Sequence, residues 1–326
     1  FNEFFVEKVE TLQSRIDASC TEDPLTRLRN KIEEMETKPV FSFKTVSVGQ
    51  VKRIIKRLKN TNSCGTDGIS TRLLKESIDV ISHPLQHIIN TSINSNVFPD
   101  KWKTAKIIPV PKKPGATELT DFRPVSILST PSKVLEICLL SQVSQFFESY
   151  HLFNQNQFAF RKNHSTTMAV IKMYNDWTRK KNSRQSTGVL SYDFSAAFDT
   201  LNGSFLCQKL SIYGFTNSAI LLIKSFLTGR YQFVEVNGFR SSLVAICTGS
   251  PQGSCLSPVI FIINTSDINL WMSNTILTLY ADDIYQWTSD ISINEIILAL
   301  ERDSKMIIKF ASSNKLILNQ HKTHFI

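Results

Sequence analysis

Two adjacent acids sit between two short apolar runs in Thr278-Leu279-Tyr280-Ala281-Asp282-Asp283-Ile284-Tyr285-Gln286-Trp287. The flanking residues are rich in β-branched and aromatic side chains, so the stretch predicts a β-hairpin whose tight turn carries Asp282 and Asp283 at its tip. Asp is acceptable in a turn for local reasons, because it tolerates turn dihedrals and bonds its own backbone. The pattern therefore dictates a hairpin before it dictates any chemistry. What the two acids do depends on what the rest of the chain brings to the same sheet edge.

The elements around this hairpin follow from periodicity and punctuation. Residues 1–60 read as mainly helical, with Phe5, Val9, Leu12 and Ile16 near helical spacing and a basic amphipathic helix over Val48–Leu58. Ile69–Ile81 reads as another helix after the Gly65–Gly68 turn. Lys106–Val110 and Asp121–Leu128 form a two-stranded flap around a Lys112–Gly115 turn. Helices follow over Ser132–Glu148 and from Ser165 to about Asn182. Gly188–Phe194 is a strand ending in an acid, Asp193, with a helical start over Ser195–Asp199. Phe233–Gly238 and Ser242–Cys247 make a hairpin around Asn237-Gly238. The Gly249–Gly253 loop opens an apolar helix over Pro258–Ile268. A helix over Ile293–Ser312 and a strand-and-turn over Lys315–Thr323 end the chain. The order describes an α+β class with a small antiparallel sheet.

Composition narrows the function classes. Hydrophobic residues are 42% and charged residues 20% of 326, which suits a folded core. The longest apolar runs are too short to cross a bilayer, and the N-terminus has no signal-peptide pattern. It also lacks an initiator Met, as expected of a piece of a longer chain. The net charge is +9, with basic clusters at Lys52–Arg57, Lys101–Lys113, Arg161-Lys162 and Arg179–Arg184, which predicts a polyanionic partner, nucleic acid before membrane. The six cysteines show neither C-x-x-C spacing nor His partners, and read as reduced, mostly buried thiols of an intracellular protein.

A strand ending at Asp193 beside a hairpin tipped by Asp282 and Asp283 would gather three carboxylates at one sheet edge. Packed carboxylates repel unless cations neutralise them. Hard divalent ions with oxygen ligands answer that need, Mg²⁺ first because it keeps waters and takes substrate phosphates, with Mn²⁺ as the alternative. Two such ions about 4 Å apart can clamp an in-line phosphoryl displacement. Lys112, Lys113 and Arg123 on the flap could then carry positive charge to a triphosphate.

Eight blocks, taken in order, resemble the reverse transcriptase domain of non-LTR (LINE-type) retrotransposons. They are Gly65–Ile69, Pro99–Lys113, Asp121–Leu128, Gln157–Thr166, Asp193–Asp199, Gly249–Pro258, Tyr280–Asp283 and Leu318–Thr323. The resemblance implies right-hand polymerase fingers and palm with the thumb largely absent: a helical pre-fingers segment over 1–60, fingers with palm elements over 61–185, and a palm with the catalytic acids over 186–326. It implies that Asp193 and Asp282 bridge two Mg²⁺ ions, with Asp283 as third acid and the Phe194 carbonyl as a further ligand. Phe198 takes the place of an aromatic ring that excludes a 2′-hydroxyl. Gln252 meets the nucleotide and template, and Gly253 allows close backbone approach. Lys112, Lys113 and Arg123 bind the dNTP triphosphate, and Lys322 protonates the pyrophosphate.

Asp199 reads as structural. Where the family often has Lys, His, Gly and Gly, this chain has Ala196, Gly203, Ala159 and Asn163. The partners implied are an RNA template, a DNA primer and dNTPs, with no membrane, at work in the nucleus although no targeting signal is visible. An RNA-dependent RNA polymerase and an inactive nucleic-acid-binding relic of a mobile element are the alternatives.

Overall fold

The computed structural model describes residues 1–14, 23–319 and 322–325. Helices α1 (Asn2–Ser14), α2 (Thr26–Glu33), α3 (Val48–Arg57), α4 (Thr71–Glu76) and α5 (Ile78–Ser95) come first. Strands β1 (Thr104–Pro111) and β2 (Phe122–Ile127) precede α6 (Thr130–Ser149) and α7 (Thr166–Asn182). Then come β3 (Ser186–Asp193), α8 (Gly203–Ile212), α9 (Asn217–Leu227), β4 (Arg230–Val236), β5 (Phe239–Arg240) and β6 (Val244–Ile246). Helix α10 (Ser257–Asn264), β7 (Ile276–Tyr280), β8 (Asp283–Asp290), α11 (Ile293–Ser313) and β9 (His324–Phe325) complete a mixed α+β architecture. Ile16 and Cys20 lie outside the described residues.

Side-chain caps set many of these boundaries. Ser47 and Gln50 form a capping box on α3, and Ser165, Thr216 and Ser292 accept from backbone N–H groups at the starts of α7, α9 and α11. The helix expected over Ile69–Ile81 is two helices. Ser70 caps α4, the Ser77 hydroxyl donates back to the Leu73 carbonyl and ends it, and α5 then runs on to Ser95. The helix expected over Pro258–Ile268 stops at Asn264, where Thr265 and Ser266 turn their hydroxyls onto the Phe261 and Ile262 carbonyls.

Two compact units emerge. The first comprises Phe1–Thr11, Pro39–Phe146 and Gly203–Ser257. Its sheet has the order β2-β1-β4-β5, with β6 also on β4. The expected flap is β1 against β2, from Lys106↔Ile127 to Pro111↔Phe122. Its other neighbour, the parallel pairing of β1 with β4, joins segments far apart in the chain and has no local signature. Asn237 and Gly238 both take positive φ (50° and 83°), the requirement of the tight turn between β4 and β5. Phe5 of α1 packs with Ala105, Ile107, Leu128 and Val234 under this sheet.

The second unit comprises Leu12–Lys38, Phe147–Asn202 and Pro258–Ile326. Its four-stranded sheet, β7-β8-β3-β9, is wholly antiparallel. Buried Val189, Tyr192, Leu277, Leu279, Ile284 and Trp287 line it, and Ile296, Leu300, Ile307, Phe310 and Ala311 are the buried apolar positions of α11. A Cβ at Gly188 would meet Ile296 Cγ2 at 2.5 Å and Leu300 Cδ1 at 3.0 Å, so the missing side chain is what lets α11 lie this close to β3. Five cysteines are described and free. Only Cys138 is buried and Cys247 is exposed, so the expectation of mostly buried thiols fails.

Gly188→Ala overpacks the β3–α11 contact and lowers stability by about 1–3 kcal/mol. Urea unfolding checks this as a reduced midpoint at unchanged slope.

Candidate active site

The carboxylates are brought together by strand register. β3 pairs with β8 from Ser186↔Asp290 to Asp193↔Asp283, so the last residue of one strand faces the first of the other. Within the hairpin Tyr280 pairs with Asp283, which leaves Ala281 and Asp282 as a two-residue turn. The expectation that both acids occupy the tip is corrected by this pairing: Asp282 is in the turn, and Asp283 opens β8. Ala281 reaches the turn conformation at φ 56°, a left-handed value uncommon for a residue with a Cβ.

A second backbone pairing fixes the far side of Asp193. Its carbonyl accepts from Asn319 N at 2.8 Å, Ser195 N donates to the Ile317 carbonyl at 2.7 Å, and Phe194 bridges Leu318. Lys322 follows this segment, and its ammonium donates to Asp193 Oδ2 at 2.8 Å. The Phe194 ring is buried against the Phe261 ring of α10, with centroids 6.2 Å apart, and half-buried Phe198 also packs on the Phe261 ring at 5.2 Å. Ser195–Asp199 is not the expected helical start but a run of turns with Ala196 at φ 49°, because the pairing with Ile317 and Leu318 holds the backbone extended into it. Asn163 has φ 60°, and Asn is a residue that tolerates this region.

The electrostatics follow from the geometry. Burial, then the neighbouring Asp193 and Asp283, push the Asp282 carboxyl above the usual carboxylate range, with Lys322 opposing. Burial and Asp193 do the same to Asp283, and the Asp193 hydrogen bond raises the Lys322 ammonium above its ordinary value. Three carboxylates and the Phe194 carbonyl are hard oxygen donors, and their mutual repulsion is what a divalent cation relieves, so the donor chemistry fits Mg²⁺ or Mn²⁺. As arranged, the described residues contain no group of three or more acidic, His or Cys side chains gathered to hold a metal ion. Among the described residues, Lys322 pairs with Asp193.

The residues expected on a triphosphate lie in the first unit. Arg123 is exposed on β2 opposite Val110. Lys112 Nζ donates to the Thr120 carbonyl at 2.6 Å, and Lys113 Nζ pairs with Asp121 Oδ1 at 2.8 Å, so both lysines fold back on the flap. The Gln252 carbonyl accepts from Ser126 N at 3.2 Å. Gly253 has φ 104°, and a Cβ there would meet the Ser126 carbonyl oxygen at 2.5 Å, so only glycine lets this loop seat on β2.

Two buried side chains that hold these segments carried no role in the sequence reading. Glu136 is fully buried and accepts from the Ser132 hydroxyl (2.7 Å), the Ser254 hydroxyl (2.6 Å) and Cys255 N (2.8 Å), anchoring the loop just after Gly253. Mid-helix in α6, it looks in the sequence like any surface Glu. Gln157, also buried, reaches the hairpin turn: Oε1 accepts from Ala281 N at 3.0 Å and from Ala159 N at 2.9 Å, and Nε2 donates to the Ala281 carbonyl at 3.4 Å. Its place in a matched block was the only signal.

Because Asp282 protonates more readily folded than unfolded, it favours the fold below the ordinary carboxylate value of about 3.9 and loses that contribution as pH rises through its raised value. Without divalent cations, Asp282→Asn therefore melts above wild type, and the gap in Tm widens as pH rises through that window. Parallel melting curves across pH check the sign.

The reverse transcriptase (RNA-dependent DNA polymerase) family model matches residues 110–326. The chain is 27% identical to the RNA-directed DNA polymerase from mobile element jockey of Drosophila melanogaster, over 82% of this chain and 30% of that protein. It is 30% identical to the jockey polymerase of Drosophila funebris, over 78% of this chain and 29% of that protein. A probable RNA-directed DNA polymerase from transposon BS of Drosophila melanogaster is 26% identical over 98% of this chain and 36% of its own length. The chain thus spans about a third of the length of these curated relatives. With the family model matching most of it, the chain belongs to the reverse transcriptase family.

Proposed function

We propose that this chain carries the polymerising centre of an RNA-directed DNA polymerase that adds dNTPs to a primer 3′-hydroxyl on an RNA template, as a step in non-LTR retrotransposition. The observation that carries the reading is the facing of Asp193 and Asp283 across β3 and β8, with Asp282 in the adjoining turn, in a chain whose relatives are named RNA-directed DNA polymerases. The basic balance of +9 supports a nucleic-acid partner. The fingers are read over 61–185, the palm over 186–326 and the pre-fingers segment over 1–60, with the nucleus as the place of action.

Asp193 and Asp282 are assigned to two Mg²⁺ ions, with Asp283 and the Phe194 carbonyl as further ligands. Such ions, when bound, stabilise negative charge on the attacking and leaving oxygens. Arg123 clamps phosphate oxygens bidentately, and Lys112 and Lys113 leave their partners on the flap to add charge. Gln252 orients nucleotide against template, beside Gly253. Phe198 bars a 2′-hydroxyl by bulk, which selects dNTP over NTP. Lys322 holds Asp193 before substrate arrives and gives a proton to the departing pyrophosphate afterwards.

In the full-length protein, Mg²⁺-dependent extension of a DNA primer on RNA is expected. Asp193→Asn or Asp282→Asn lowers it about a hundred- to a thousandfold or more, while RNA affinity stays at the wild-type value. Equal extension by wild type and either variant would overturn the reading. Phe198→Ala is expected to narrow the dNTP-over-NTP preference about ten- to a hundredfold. Single-nucleotide incorporation with each substrate measures it.

A further inference from the structure

We infer that Gln157 is a positioning residue for Asp282, acting by locking the backbone of the hairpin turn. The inference rests on the polymerase reading of the acids but is argued from the second unit alone. Ala281 holds a left-handed φ of 56°, a conformation that persists only where the surroundings impose it. The Gln157 amide supplies that restraint at both ends of the residue, accepting from Ala281 N at 3.0 Å and donating to the Ala281 carbonyl at 3.4 Å. That carbonyl belongs to the peptide bond joining Ala281 to Asp282, so its direction sets how Asp282 leaves the turn.

The clamp is itself anchored. Phe158 N donates to the Leu279 carbonyl at 2.9 Å and Leu279 N to the Asn156 carbonyl at 2.8 Å, so Gln157 is held beside β7 on either side. Its Oε1 takes a second N–H, that of Ala159, at 2.9 Å, which fixes which way the amide faces. At 2% exposure the side chain has no water to exchange these partners for. An amide is the side chain that fits this task, because the turn offers one donor and one acceptor.

Gln157→Met keeps the volume and removes all three hydrogen bonds. In the full-length protein we expect kcat for dNTP addition to fall about ten- to a hundredfold, with KM for dNTP within about threefold, the signature of displaced reacting groups. Mn²⁺ affinity, read by electron paramagnetic resonance without substrate, should fall as well. In hydrogen exchange the Ala281 amide should be protected in wild type and exposed in the variant. Gln142, whose amide clamps the Lys44 backbone in the same manner (2.8 and 3.0 Å), is the control, and Gln142→Met should leave kcat and Mn²⁺ affinity unchanged. Wild-type kcat and Mn²⁺ affinity in a folded Gln157→Met protein would overturn the inference. Should that variant not fold, rapid exchange of the Ala281 amide in wild type would overturn it and protection would support it. A wild type that binds Mn²⁺ without extending primers would sink the polymerase reading instead, and the Mn²⁺ comparison would still decide the role of Gln157.

Discussion

The antiparallel pairing of β3 with β8 is the constraint on which the site depends. Its register puts Asp193 directly opposite Asp283, and the hairpin closes in two residues so that Asp282 follows at once. Desolvating and gathering like charges opposes folding, and burial first, then the neighbouring Asp193, holds the Asp282 and Asp283 carboxyls above the usual carboxylate range. The burial of Leu277, Leu279, Ile284 and Trp287 along the same strands supplies the opposing stabilisation. A site built this way favours a cation, and the exposed Lys322, paired with Asp193, answers in part. Release of that ammonium would free the Asp193 carboxylate oxygen for the proposed metal ions.

Within each unit, backbone hydrogen bonds do most of the positioning. The 317–319 segment reads the edge of Asp193–Ser195, the 156–158 segment reads the edge of β7, and Ser126 holds the Gln252 carbonyl. Side chains then complete the restraint where the backbone has no partner to offer: Gln157 on the hairpin turn and Glu136 on the loop after Gly253. The same logic explains Gly188 and Gly253, where a Cβ would collide with α11 or with β2.

Local pattern made the hairpin, the acid-ended strand and the flap legible, since each is short, alternating and punctuated by turn residues. The Asn237-Gly238 turn was legible for the same reason. Ser195–Asp199 was misread because its composition favours a helix while its long-range pairing to Ile317 and Leu318 imposes turns. The β1–β4 parallel pair and the break at Ser77 were missed because one depends on a distant partner and the other on a single hydroxyl. That Asp193 and the hairpin acids meet at one sheet edge was readable from type and spacing. Glu136 and Gln157 were not, because nothing in a sequence distinguishes a buried polar side chain from an exposed one until its partners are known.

In the proposed function, the Asp193–Asp283 register and the Asp282 turn create a divalent-cation site. Anomalous diffraction from crystals of the protein soaked in Mn²⁺ tests it most directly. Anomalous peaks are expected within coordination distance of the Asp193 and Asp282 carboxylates, with Lys322 displaced from Asp193, and are expected to be lost in Asp282→Asn. Peaks confined to other residues, or none at these acids while the Lys322–Asp193 pair stays intact, would contradict it.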